Sequence, residues 1–170
     1  MALSTIPNNM QAPLAAANMP AGSVLQVIQN VKQNQSSTTS ASYSDIGLYA
    51  SITPSSSSNK IMVILDIMWS HAPGYSGSAL RLLRDSTTIY YGTGTGYDGF
   101  AGAYITTQDY VCDRVVANYL DSPSSTSSLT YKVQYSGLQS HYVGINRSQR
   151  VNGTFDPRGA SSITVMEIAG

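Results

Sequence analysis

Charge is scarce in this chain. Only 11% of its 170 residues are Asp, Glu, Lys or Arg, well under the roughly 25% of an average globular domain. Nine basic residues balance nine acidic ones, so the net charge at neutral pH is zero. There is no run of Lys or Arg to displace counterions from a phosphate backbone, which excludes a nucleic-acid binder. The same lack speaks against an anionic membrane surface. Long apolar runs are missing too. The longest, Ile61 to Leu65, has the length of a strand, far from the roughly 20 residues of a transmembrane helix. A single cysteine, Cys112, cannot close an internal disulfide. It reads as a small buried hydrophobe. Met1 to Pro20 lacks the basic start of a signal peptide, so no export is expected. Three sequons, at Asn34, Asn146 and Asn152, would then stay unmodified and fit exposed loops. The two histidines, His71 and His141, lie in different segments without a second ligand at zinc spacing. Neither a metal nor any other cofactor is expected.

What is present is strand after strand. Ser23 to Val31 mixes Val and Ile with polar residues at a period near two. Tyr43 to Ile52 predicts one or two short strands, interrupted at Gly47. Lys60 to Ser70 is apolar on both faces for half its length, which predicts a central strand. His71 to Gly77 reads as a turn. Ser78 to Arg84 and Thr88 to Tyr91 read as a hairpin turning at Arg84 to Thr87. Ala103 to Thr107, Val111 to Leu120, Leu129 to Tyr135, Tyr142 to Asn146 and Ser161 to Ile168 complete the set. Gln35 to Ser40 and Gly92 to Gly102 read as connections. With no credible long helix, the fold class is all-β: an antiparallel β-sandwich of jelly-roll type. Residues 1–22, with Pro7, Pro13 and Pro20, read as an extended N-terminal arm before a sandwich domain at 23–170. Such an arm is expected to gain order on a neighbouring chain.

Catalytic patterns are weak. Gly92-Thr93-Gly94-Thr95-Gly96 resembles a phosphate loop, but no helix follows and no Lys is present. The many serines single out no triad, and Gly74-Tyr75-Ser76-Gly77 is one residue short of a nucleophile elbow. A carboxylate pair for glycoside hydrolysis is a matter of three-dimensional spacing. The chain is therefore not expected to be an enzyme. Twelve tyrosines against two phenylalanines suit a wet contact surface. Tyr75, Tyr90, Tyr91, Tyr97 and Phe100 gather around the glycine loop. Tyr97 and Phe100 are candidates for an outer contact rim, and Trp69 reads as core. Arg81, Arg84 and Arg114 read as solvent-facing strand residues, with ion pairs at a subunit interface as the other reading.

Several phrases, taken in order, carry a resemblance. They are Gly22-Ser23-Val24-Leu25-Gln26-Val27, Ile52-Thr53-Pro54-Ser55-Ser56-Ser57-Ser58-Asn59-Lys60-Ile61, Arg81-Leu82-Leu83-Arg84-Asp85-Ser86 and Leu120-Asp121-Ser122-Pro123. Thr130-Tyr131-Lys132-Val133, Ile145-Asn146-Arg147 and Ser162-Ile163-Thr164-Val165-Met166-Glu167-Ile168 follow. The series resembles small β-sandwich domains in structural proteins of tailed bacteriophages and marine viruses. Gly92 to Tyr110 departs most from that pattern. The resemblance implies a virion location, a homotrimer and no catalytic residue. A short arm before one domain suits a capsid decoration (cement) protein that contacts the major capsid protein of the shell. Ile6, Met10, Leu14 and Met19 are the candidate arm contacts. The alternative is a tail-fibre or tail-tip domain, bound to other tail proteins, that recognises a host glycan.

Overall fold

The structure is a computed structural model that describes residues 18–93, 98–106, 108–151 and 156–170. Among these the chain forms eleven strands: β1 Val24–Lys32, β2 Ser36–Thr38, β3 Ser44–Ile52, β4 Lys60–His71, β5 Gly74–Arg84 and β6 Thr87–Tyr90. They continue as β7 Ala101–Thr106, β8 Asp113–Asp121, β9 Leu129–Ser136, β10 Val143–Ile145 and β11 Ser161–Ile168. Every strand pairing is antiparallel.

Two four-strand series carry the topology, β1-β11-β4-β8 in one sheet and β3-β9-β5-β7 in the other. The chain crosses from sheet to sheet at each step except from β5 to β7, where the β6 hairpin intervenes. This interleaving of two Greek keys is the jelly roll. Trp69 pairs with Asp113 of β8 and with Ile145 of β10, so β10 must lie on the edge of β4 opposite β8. It therefore continues the line of β11, and β2, paired with β10, continues that of β1.

β4 shows why these residues make strands. Its odd positions Ile61, Val63, Leu65, Ile67 and Trp69 point inward and are at most 3% exposed. Alternation puts Met62, Ile64, Asp66 and Met68 on the other face, half-buried. Across the interior they meet Ile46, Leu48, Leu80, Leu82, Tyr131 and Val133 of the second sheet. The central position expected for this segment is the observed one, with β11 and β8 on its two sides.

Three local expectations are corrected. The turn expected over His71 to Gly77 shrinks to Ala72 and Pro73, because β4 runs to His71 and β5 already starts at Gly74. Ser36–Thr38 is a strand and not a connection, since β10 offers it a partner edge that no local pattern announces. Tyr43 to Ile52 is a single strand from Ser44. Gly47 does not break it but sits at φ 79, within a shift of register between Asp45 and Tyr49.

Candidate functional site

The phrases that look most like loops turn out to be closures of the sandwich. Glu167 is 1% exposed, on the inward face of β11. Its carboxylate accepts hydrogen bonds from Asn59 Nδ2 (2.6 Å), Gln26 Nε2 (2.6 Å), the Ser55 amide (2.6 Å) and Ser55 Oγ (2.8 Å). Burial alone would raise this carboxyl. The donors from Asn59, Gln26 and Ser55 outweigh it and hold the group below the ordinary glutamate value. The first serine run thus folds over the end of the core and donates to one buried charge.

A second closure stands at Asp121. Arg84 Nη1 donates to both its oxygens (2.9 and 2.7 Å), and the Tyr131 hydroxyl donates at 2.6 Å. Burial and the neighbouring carboxylate push the Tyr131 hydroxyl far up, so it stays a donor. Beside it the Asp85 amide donates to the Thr130 carbonyl (2.7 Å), and the Thr130 amide donates to Asp85 Oδ1 (2.9 Å). The third closure is Asn146. It is fully buried, at φ 62, and its side chain donates to the carbonyls of Lys32 (2.8 Å) and Asn34 (3.1 Å). Ser161 Oγ donates to its Oδ1 at 2.6 Å. The expectation of an exposed sequon loop at Asn146 is therefore wrong. Asn34 is exposed, and Asn152 lies outside the described residues.

The arginines make contacts within the chain. Arg84 holds Asp121, Arg114 pairs with Asp66, and Arg81 donates to Gln134 Oε1 (2.9 and 2.7 Å) with its guanidinium 4.0 Å above the Tyr43 ring. Cys112 is half-buried. Desolvation first, and then Asp113, push its thiol up to about 11, so at neutral pH the protonated thiol is favoured over the thiolate. His71 is 4% exposed and tilted against Trp69, with ring centres 5.7 Å apart. Among the described residues no group of His, Cys, Asp and Glu is placed to hold a metal ion. The glycine loop is closed by the Gly92 amide donating to the Gly99 carbonyl (2.9 Å).

Of the candidate contact residues, Ile6, Met10, Leu14 and Tyr97 lie outside the described residues. Met19 is half-buried and lines a pocket of about 350 Å³ with Ser55, Ser56, Ser58, Asn59, Ala169 and Gly170. The chain after it is tied to the end of the sandwich, the Gly22 amide donating to the Ala169 carbonyl at 2.8 Å. Phe100 is half-buried. It stacks on Tyr90 (5.3 Å), which stacks in turn on Tyr119 (5.1 Å). This ladder joins β6 to the inward face of β8.

The surface that stands out was not singled out from the sequence. It is the outward face of the β1-β11-β4-β8 sheet. The register aligns Val27, Met166, Met62 and Leu120 in one row across four strands. The next row is Gln29, Thr164, Ile64 and Asn118, and the third is Val31, Ser162, Asp66 and Val116. Val27 (55% exposed), Val31 (54%), Val116 (70%) and Leu120 (44%) all open to solvent here. The Asp66–Arg114 pair neutralises itself within the face. The signal was the both-sided apolarity of β4. It marks a strand covered on its second face too. Among the described residues Gly159 packs on Met68 at one end of that face, while Val27, Val31, Val116 and Leu120 stay open.

No family model matches the chain, and no curated protein matches it. Two solved structures resemble it in shape. One is a chain in the crystal structure of the T13 IBDV viral particle, 13% identical, with a TM-score of 0.47 over 96% of this chain and 40% of that one. The other is a chain in a structure of infectious bursal disease virus Gt strain, 11% identical, with a TM-score of 0.43 over 97% of this chain and 43% of that one. The present chain spans about two-fifths of the length of either. At this level of likeness the jelly roll rests on its own strand order.

Proposed function

We propose that the protein is a structural component of a virion, a capsid decoration protein of a tailed phage that acts by contact area. The observation that carries this reading is the row of exposed apolar side chains on the outward face of the β1-β11-β4-β8 sheet, Val27, Val31, Val116 and Leu120 among them, beside an Asp66–Arg114 pair that is internal. A broad apolar face of this kind marks a protein–protein contact. The buried polar residues Glu167, Asp121 and Asn146 are engaged in closing the sandwich. The family resemblance of the phrases supplies the virion setting and the homotrimer. In this reading trimers sit on the outer surface of the shell, against the major capsid protein. The face buries on neighbouring subunits, and Ile6, Met10, Leu14 and Met19 add contacts along the arm. Tyr97 remains the candidate for the outer contact rim, while Phe100 is packed against Tyr90.

The test is a binding assay of fluorescent protein to shells stripped of it, imaged on the particle. Shell-wide labelling is expected, weakened by Val116→Lys and lost on deletion of residues 1–17. Labelling confined to the tail would replace this reading by a tail-fibre or tail-tip one, and glycan binding by the isolated protein would then be the next measurement. Undiminished shell binding by the deletion would remove the arm from the mechanism.

A further inference from the structure

Edge strands invite pairing with other chains, and folded proteins usually blunt them. In this jelly roll every long edge is blunted but one. β1 has an irregular register between Val24 and Gln26. Its side chains also reach β3 and the connection beyond it: Asn30 Nδ2 donates to the Tyr49 carbonyl (2.7 Å) and Gln26 Nε2 to that of Thr53 (2.9 Å). β3 and β6 each carry a register shift of their own, β7 is a six-residue strand whose pairing is interrupted by an extra residue on β5, and β2 has only three residues. β8 differs. It runs straight for nine residues against β4 without an irregularity, and pairs with no other strand among the described residues. Val115-Val116-Ala117-Asn118-Tyr119-Leu120 holds no charge, proline or glycine. Such a segment on an open edge is a pairing site.

We propose that β8 is a self-pairing edge, joined antiparallel to β8 of a second copy of this chain across a two-fold axis. Opposed residues of an antiparallel pair lie on the same face, which restricts the register. With the axis at Asn118, Asn118 faces Asn118 and Val116 faces Leu120 of the second copy. Arg114, already neutralised by Asp66, then faces Ser122. A slip one way sets Asp113 against Asp121, two acids. The opposite slip sets Leu120 against Asn118. On the outward face the first register alone matches apolar with apolar and avoids like charges. On the inward face Ala117 meets Tyr119, and Val115 meets Asp121, a carboxylate already held by Arg84 and Tyr131. The edge is thus complementary to itself. The pairing fuses two sheets into one and extends the row from Val27 to Leu120 onto Val116 of the second copy. It leaves the outward face free, so it joins copies without competing with a shell contact. It does not depend on the virion reading.

The test uses the full chain with Cys112→Ser, so that an introduced thiol is the only one. Cα separations in either kind of antiparallel pair, about 4.5 to 5.5 Å, lie within disulfide reach. Asn118→Cys is expected to give a covalent dimer under mild copper-phenanthroline oxidation. Gln29→Cys, exposed in the same row at the far edge of the sheet, is expected to stay monomeric on a denaturing gel. Adding Val116→Lys to Asn118→Cys should abolish the dimer, with circular dichroism showing an unchanged fold. A folded Asn118→Cys protein that fails to cross-link overturns the proposal, as does equal cross-linking of Gln29→Cys. Sedimentation of the unoxidised protein reports on the trimer separately, so either contact can fail without the other.

Discussion

Glu167 is the residue where sequence pattern and structural role diverge most. It is a charged residue on the same face of Ser161–Ile168 as Ile163 and Val165, and it sits inside and collects three donor residues from two segments, the β3–β4 connection and β1. Its folded-state value is lowered, so its stabilising contribution is whole above the ordinary glutamate value. It is lost as pH falls through the lower folded value. Replacing Glu167 by Gln should flatten the acid side of the stability–pH curve. Replacing it by Ala, which strands the donors of Asn59, Ser55 and Gln26, should cost on the order of 3 kcal/mol. Denaturant unfolding at a series of pH values measures both. A wild-type acid limb in the Gln variant would show that another group governs it.

At the scale of elements, the Asp121 closure fastens the end of β8 to the ends of β5 and β9. Asp121→Asn keeps the shape but removes the charge that Arg84 and Tyr131 bind, and should destabilise by about 2 kcal/mol. The exposed pair Asp66–Arg114 offers a control. Asp66→Asn should cost under about 0.5 kcal/mol. If urea unfolding reverses that order, the closure is not what secures β8. The strands themselves were legible in the residues, because Val and Ile alternation and proline-serine breaks are local signals. Pairing partners were not. Ser36–Thr38 has no strand composition and is ordered by the edge of β10. Asn146 looked like a glycosylation loop because burial in a three-way junction leaves no trace in neighbouring residues.

For the whole molecule the governing fact is that the last strand lies between early ones. β11 pairs with β1 on one side and with β4 on the other. Deleting Ser161 to Gly170 therefore leaves two long strands with open edges and removes Ile163 and Val165 from the core. That variant is expected to be insoluble or unfolded by circular dichroism. A soluble, cooperative domain without these residues would contradict the topology. Because β1 must wait for β11, the intact chain should fold slowly, in milliseconds to seconds, as all-β proteins of non-local topology do.

Composition and periodicity alone established an all-β sandwich, its strand segments and the absence of a nucleic-acid or transmembrane signature. These follow from near-neighbour patterns, since alternation, charge density and turn residues act over a few positions. They could not reveal that Glu167, Asp121 and Asn146 are buried, or that Val27, Met166, Met62 and Leu120 align in one apolar row across β1, β11, β4 and β8. Nor could they show that β8 keeps a straight open edge of nine residues. Each of these depends on register between strands far apart in the chain, and a shift of one residue would turn every such side chain to the other face.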